Sequence, residues 1–62
     1  MQQHTVREVI QRLRSEGWIE SAGKGSHRVF RKEGKPNISV PTSKKELRGG
    51  TYRNIARIAG WE

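Results

Sequence analysis

Residues 17–41 read GWIESAGKGSHRVFRKEGKPNISVP, and the spacing within this stretch decides the fold. Gly23-Lys24-Gly25 and Glu33-Gly34-Lys35 have the composition of short hairpin loops. Around them lie three short segments with strand character. Trp18 to Ala22 is a weak strand, and Ser26 to Lys32, with Val29 and Phe30 inside it, is a better one. Ile38-Ser39-Val40 alternates cleanly between Pro36 and Pro41. The pattern predicts a three-stranded antiparallel meander. Proline at both ends of the third strand suits an edge position, where the missing donors face water.

Upstream of this stretch the period is helical. Thr5 and Glu8 have capping-box spacing, which satisfies two orphan amides at a helix start. Val6, Val9, Ile10 and Leu13 then form one apolar stripe, predicting a helix from about Val6 to Glu16. Gly17 stands where a left-handed residue closes a helix, and Trp18 follows to pack back on the last turn. His4, just before the cap, reads as part of a frayed terminus with no role.

Downstream, Thr42 to Gly50 reads as a polar connector containing Lys44-Lys45. A second helix is predicted from about Thr51 to Ala59, with Tyr52, Ile55, Ala56 and Ala59 on one side and Arg53 and Arg57 on the other. Gly60 and Trp61 close it. The order is α-β-β-β-α, an α+β fold, in a single domain over residues 1–62. Each helix has one apolar stripe and a small sheet has one good apolar face, so both helices are expected on the same face of the sheet. Parity then points Ile38, Val40, Phe30 and Arg28 toward the helices, and His27, Val29 and Arg31 away from them.

Composition narrows the chemistry. The 62 residues carry 13 Lys+Arg against 6 Asp+Glu, a formal charge of +7, and no cysteine. This length supports one thin core and no multi-domain enzyme. Without cysteine there is neither a disulfide framework nor a thiolate zinc site, and two histidines do not complete a four-ligand metal site. No metal and no cofactor are expected. The longest apolar run is two residues, so neither a membrane span nor a signal peptide is expected, and the default location is cytoplasmic. The cations and carboxylates of residues 1–22 cancel, and the entire excess lies in residues 23–62. An excess placed this way points to a polyanionic partner, most often nucleic acid.

His27 is the one histidine within a predicted element, and it follows a Gly-Lys-Gly-Ser turn. Cleaving RNA through its ribose hydroxyl requires a base for that hydroxyl, an acid for the leaving oxygen and positive charge or amides on the phosphate. Imidazole titrates near neutrality. Lys24, the amides of Gly25 and Ser26, and Lys44 or Lys45 could hold the phosphate. Taken from composition alone, a surface histidine on a basic sheet beside an ordinary turn is the commoner reading of these residues, since catalytic groups are a minority, and the catalytic reading stays open beside it. Trp18, Phe30, Tyr52 and Trp61 all fall in phases the core needs, which disfavours a base-stacking platform. Carboxylates are too few for a two-metal nuclease site. A nuclease here would work without metal, with histidine as its titrating group.

Gly17-Trp18, Lys24-Gly25-Ser26-His27, Phe30, Ile38-Ser39-Val40-Pro41, Lys45-Glu46-Leu47, Gly50-Thr51-Tyr52-Arg53-Asn54-Ile55 and Ala59-Gly60 together resemble the HicA family, the small toxins of HicA–HicB toxin–antitoxin pairs. The resemblance runs from Thr5 to Gly60. Its most specific part is Lys-Gly-Ser-His followed, at the right distances, by the Val-Pro and Gly-Thr elements. The chain departs from the family pattern at Gly49-Gly50 and at Ser21-Ala22-Gly23, outside the His27 turn. The resemblance implies a double-stranded-RNA-binding-domain-like fold and a ribosome-independent endoribonuclease that cleaves mRNA to halt translation. It also implies His27 as the functional histidine, and a HicB-type antitoxin that covers the site and regulates its own operon. Two readings from other classes compete with it: a non-catalytic double-stranded-RNA-binding module of the same topology, and an interaction protein whose basic face binds an acidic antitoxin.

Overall fold

In the computed structural model, which describes residues 4–61, the chain runs β1 (His4–Thr5), α1 (Val6–Ser15), β2 (Ile19–Ala22), β3 (His27–Arg31), β4 (Ile38–Pro41), β5 (Glu46–Leu47) and α2 (Gly49–Ala59). The expected meander is present as an antiparallel sheet in the order β2-β3-β4, with β4 at an edge. Its register sets Glu20 against Phe30 and Phe30 against Ile38, and sets Ser21 against Val29 and Val29 against Ser39. Directly opposed residues share a face. One face therefore carries Phe30, Ile38, Val40 and Arg28, and the other carries His27, Val29, Arg31 and Ser39, as parity required.

The two helices close over the first face. Val6, Val9 and Leu13 of α1, Phe30, Ile38 and Val40 of the sheet, and Ile55 of α2 form one buried cluster with Trp18 and Leu47. Leu13, Phe30, Ile38, Val40 and Ile55 are each less than 2% exposed, and burying a side chain of this size contributes roughly 1.5–3 kcal/mol. No polar or charged residue among those described is buried. The opposite face is open, and Ile19 on it is 70% exposed.

Local chemistry explains the helix limits. Thr5 is the N-cap of α1, its hydroxyl accepting the Glu8 amide at 3.1 Å. At the other end Gly17 (φ +90°) turns the chain left-handed. The Trp18 amide then reaches the Leu13 carbonyl at 3.0 Å and the Gly17 amide the Arg14 carbonyl at 3.1 Å, the bond pair of a Schellman closure. α2 ends the same way: Gly60 has φ +83°, the Trp61 amide bonds the Ala56 carbonyl at 2.7 Å, and the Gly60 amide bonds the Arg57 carbonyl at 3.3 Å.

Two expectations need correction. Thr42–Gly50 is more than a polar connector, because it contains β5, which pairs with β1 as a second, two-stranded sheet. The Lys45 carbonyl accepts the Val6 amide at 2.8 Å, satisfying one of the orphan donors at the start of α1. Leu47 enters the core at 7% exposure, and α2 begins at Gly49. His4 is also more than a frayed end. It pairs with Leu47, and its imidazole stacks on Tyr52 with ring centroids 3.5 Å apart and planes 4° from parallel.

Candidate functional site at the end of the sheet

The β2–β3 hairpin positions His27. Alongside it, the Gly23 amide donates to the His27 carbonyl at 3.0 Å. A methyl group on Gly23 would lie 2.9 Å from that carbonyl oxygen and 3.2 Å from Val29 Cγ2, so only glycine lets the strands approach this closely. Lys24, Gly25 and Ser26 cross over, with Gly25 at φ +61°. The far side of the loop is pinned to the segment after β4: the Ser26 carbonyl accepts the Thr42 amide at 2.6 Å and the Thr42 hydroxyl at 2.8 Å. His27 opens β3 opposite Pro41, on the open face, with its side chain exposed.

Fixed main chain and free side chains thus meet at one place. Among the described residues, the amides of Lys24, Gly25 and Ser26 donate to no protein acceptor, and the imidazole of His27 has no hydrogen-bond or ion-pair partner. Successive free amides beside a lysine have the chemistry of an anion cradle. Lys24, Gly25, Ser26 and His27, all singled out in the sequence, are neighbours on this hairpin. Lys44 is exposed in the following segment.

Lys45 belongs elsewhere. Its side chain lines a groove of about 750 Å³ between α1 and the helix-facing side of the sheet, together with Arg7, Arg14 and Arg28. The same groove holds one carboxylate, Glu20, and Thr42 lines it as well. Arg14 Nε donates to Glu20 Oε1 at 2.7 Å, and Arg28 Nη1 lies 3.3 Å from Glu20 Oε2. The hydrogen bond from Arg14, with the charge of Arg14 and Arg28 behind it, holds the Glu20 carboxyl below the usual glutamate range. Sequence reasoning did not assign this groove. Its signal was present in the parity of β3, which turned a cation, Arg28, toward the helices, where it had to find either a carboxylate or an opening.

The aromatic rings are committed to structure. Trp18 and Phe30 are buried, Tyr52 stacks on His4, and Trp61 donates its indole N–H to Glu16 Oε1 at 2.7 Å while Arg12 lies over its ring. The open face of β2, β3 and β4 presents no Phe, Tyr or Trp side chain. No helix among the described residues is long and apolar enough to cross a membrane.

Residues 6–61 match the family described as the HicA toxin of bacterial toxin-antitoxin systems. A solved structure, a toxin-antitoxin complex from Streptococcus pneumoniae, contains a chain 37% identical to this one. The match covers 90% of this chain and 95% of that chain, with a TM-score of 0.77. No functionally curated protein matches. A hairpin carrying Lys-Gly-Ser-His at the rim of an α+β sheet, together with a match over nearly the whole chain, leads to one conclusion: this protein belongs to the HicA family of toxins.

Proposed function

We propose that the chain is an endoribonuclease acting on mRNA, with His27 as its proton-transferring group. One observation carries the reading: an unpartnered imidazole stands on a pinned main chain directly beside three unpartnered amides and a lysine. In the reaction the ribose 2′-oxygen attacks the adjacent phosphorus. The O2′–P bond forms, the P–O5′ bond breaks, and the products are a 2′,3′-cyclic phosphate and a 5′-hydroxyl. The proton lost by the 2′-hydroxyl balances the one gained by the 5′-oxygen, and His27 carries one of these transfers. Lys24 and the Gly25 and Ser26 amides hold the non-bridging oxygens as negative charge grows on them, and Lys44 adds to the positive field.

General acid–base catalysis by one side chain contributes about 10²- to 10⁴-fold. His27→Ala is therefore expected to slow cleavage of single-stranded RNA at least about 100-fold, with the far-UV spectrum unchanged because the side chain is exposed. Cleavage is expected to persist in a chelator. Wild-type cleavage rates in the His27→Ala protein would overturn the assignment. Retardation of duplex RNA without new ends from the wild-type protein would favour a non-catalytic RNA-binding module.

The matched structure from Streptococcus pneumoniae is described as a toxin-antitoxin complex. On that basis we infer a HicB-type antitoxin partner for this chain, one that covers the basic rim around His27. Co-expression with such a partner is expected to suppress the growth arrest caused by the toxin alone.

A further inference from the structure

The groove between α1 and the sheet is built differently from the hairpin loop. Arg14 and Arg28 share a single carboxylate, Arg14 by an Nε hydrogen bond to Glu20 and Arg28 by an ion pair at 3.3 Å. A guanidinium has five donors in a planar fork, so most of those on both residues stay free. Their side chains are 58% and 51% exposed. Arg7 and Lys45 have no ion pair among the described residues. Four cations and one carboxylate thus line the same groove.

The concentration of charge is produced by folding. α1 carries Arg7, Arg12 and Arg14 against Glu8 alone, and these charges separate by face: Arg7 and Arg14 look into this groove, whereas Glu8 and Arg12 line a shallow depression elsewhere. Thr42 joins the groove to the hairpin loop, because it lines the groove and holds the Ser26 carbonyl through its hydroxyl. His27 and Arg28 are consecutive, so the two sites lie on opposite faces of the same sheet end.

We propose that this groove is a second phosphate subsite for RNA, holding a backbone phosphate of the strand whose scissile phosphate lies at the hairpin loop. The proposal rests on the endoribonuclease reading above. The strand leaves His27, rounds the rim past Thr42 and enters the groove. There Arg7, Arg28 and Lys45 take the phosphate, guanidinium forks matching its oxygens in pairs. The ribose lies against the half-buried Ile10. Glu20, an acceptor-only carboxylate, accepts a hydrogen bond from a ribose 2′-hydroxyl, the group that distinguishes RNA from DNA.

The test uses the full chain carrying His27→Ala, so that RNA is bound and not cut. Fluorescence anisotropy with labelled single-stranded RNA compares this protein with versions also carrying Arg7→Gln and Arg28→Gln. A matched-charge control carries Arg53→Gln and Arg57→Gln, both exposed on α2. On long RNA the groove variant is expected to bind about 10-fold more weakly, with a slope of log affinity against log salt shallower by about 0.7, the value for one phosphate contact on a single strand. A dinucleotide, which reaches only the loop, is expected to bind the groove variant and the parent alike. DNA of the same sequence is expected to bind the parent more weakly than RNA does. In the chain with His27 intact, the groove substitutions are expected to raise KM on long RNA and leave kcat unchanged. Equal RNA affinity and salt slope in groove variant and parent would overturn the subsite, and loss of binding to an acidic antitoxin alone would assign the groove to protein. If the wild-type chain cuts no RNA while the binding results hold, the catalytic reading fails and the groove stands.

Discussion

At Gly23 one added methyl group probes the whole hairpin. It would meet the His27 carbonyl at 2.9 Å, and backbone cannot move aside as a flexible side chain can. Gly23→Ala is therefore expected to lower stability by about 1–3 kcal/mol, as overpacking does, and to displace His27 from the loop amides. Thermal denaturation and RNA cleavage should fall together, whereas His27→Ala should affect cleavage alone. The sequence showed that His27 follows a tight turn and faces away from the helices. It could not show that Lys45 lies apart from that turn. Lys44 and Lys45 are adjacent in sequence, but the pairing of Glu46 and Leu47 with the N-terminal strand draws Lys45 to the other side of the sheet. Pairing between distant two-residue strands leaves no local signal.

Among elements, the two helix ends show both what the sequence holds and what it omits. Each Gly-Trp pair announced a left-handed closure, and both closures form. That Trp61 of the second would donate to Glu16 at the end of the first was not legible, because a contact across 45 residues has no periodicity. Glu16 accepts from Trp61 on one oxygen and from Arg12 on the other, and the Trp61 bond is the foremost cause of its lowered carboxyl pKa. A carboxyl whose pKa is lower folded than unfolded adds stability that is complete above the unfolded value and lost as pH falls through the folded one. Glu16 and Glu20 are both of this kind, so the melting temperature is expected to fall as pH drops below about 4.5, the ordinary glutamate value. Glu16→Gln should flatten that dependence. Trp61→Phe should cost about 1 kcal/mol for the lost bond and leave a weaker acid dependence. The other tryptophan behaves differently: the Trp18 indole N–H is buried with no acceptor among the described residues, so Trp18→Phe should cost less than its loss of area implies.

For the molecule as a whole, thinness of the core is the governing fact. Leu13, Phe30, Ile38, Val40 and Ile55 come from four elements and are nearly all of the deep interior. At about 0.05–0.15 kcal/mol per residue, a chain of 62 residues has only a few kcal/mol of stability in total. Leu13→Ala, at about 2–5 kcal/mol, is expected to leave the protein largely unfolded at 37 °C by circular dichroism. The apolar stripes and strand parity that define this core were readable because each repeats within its own segment. Leu47 was not, since a single apolar residue in a polar run has no repeat to mark it. The charge also changes meaning at this scale. Summed along residues 1–22 the charges cancel and add nothing to the +7, yet the folded chain gathers two arginines of α1, Arg7 and Arg14, with Arg28 and Lys45 around one groove.

The bond between Trp61 and Glu16 has a further consequence, in time and not in energy. Ends of isolated helices fray independently and fast, but here the last turn of α1 and the last turn of α2 are held by one side-chain contact. Opening either end breaks the same bond, so the two should open as one cooperative unit. Amide exchange at Trp18 and Trp61, donors of the two closures, should then report a common opening rate. In Trp61→Phe the two rates should part, with α2 loosening first while α1 keeps its own clock.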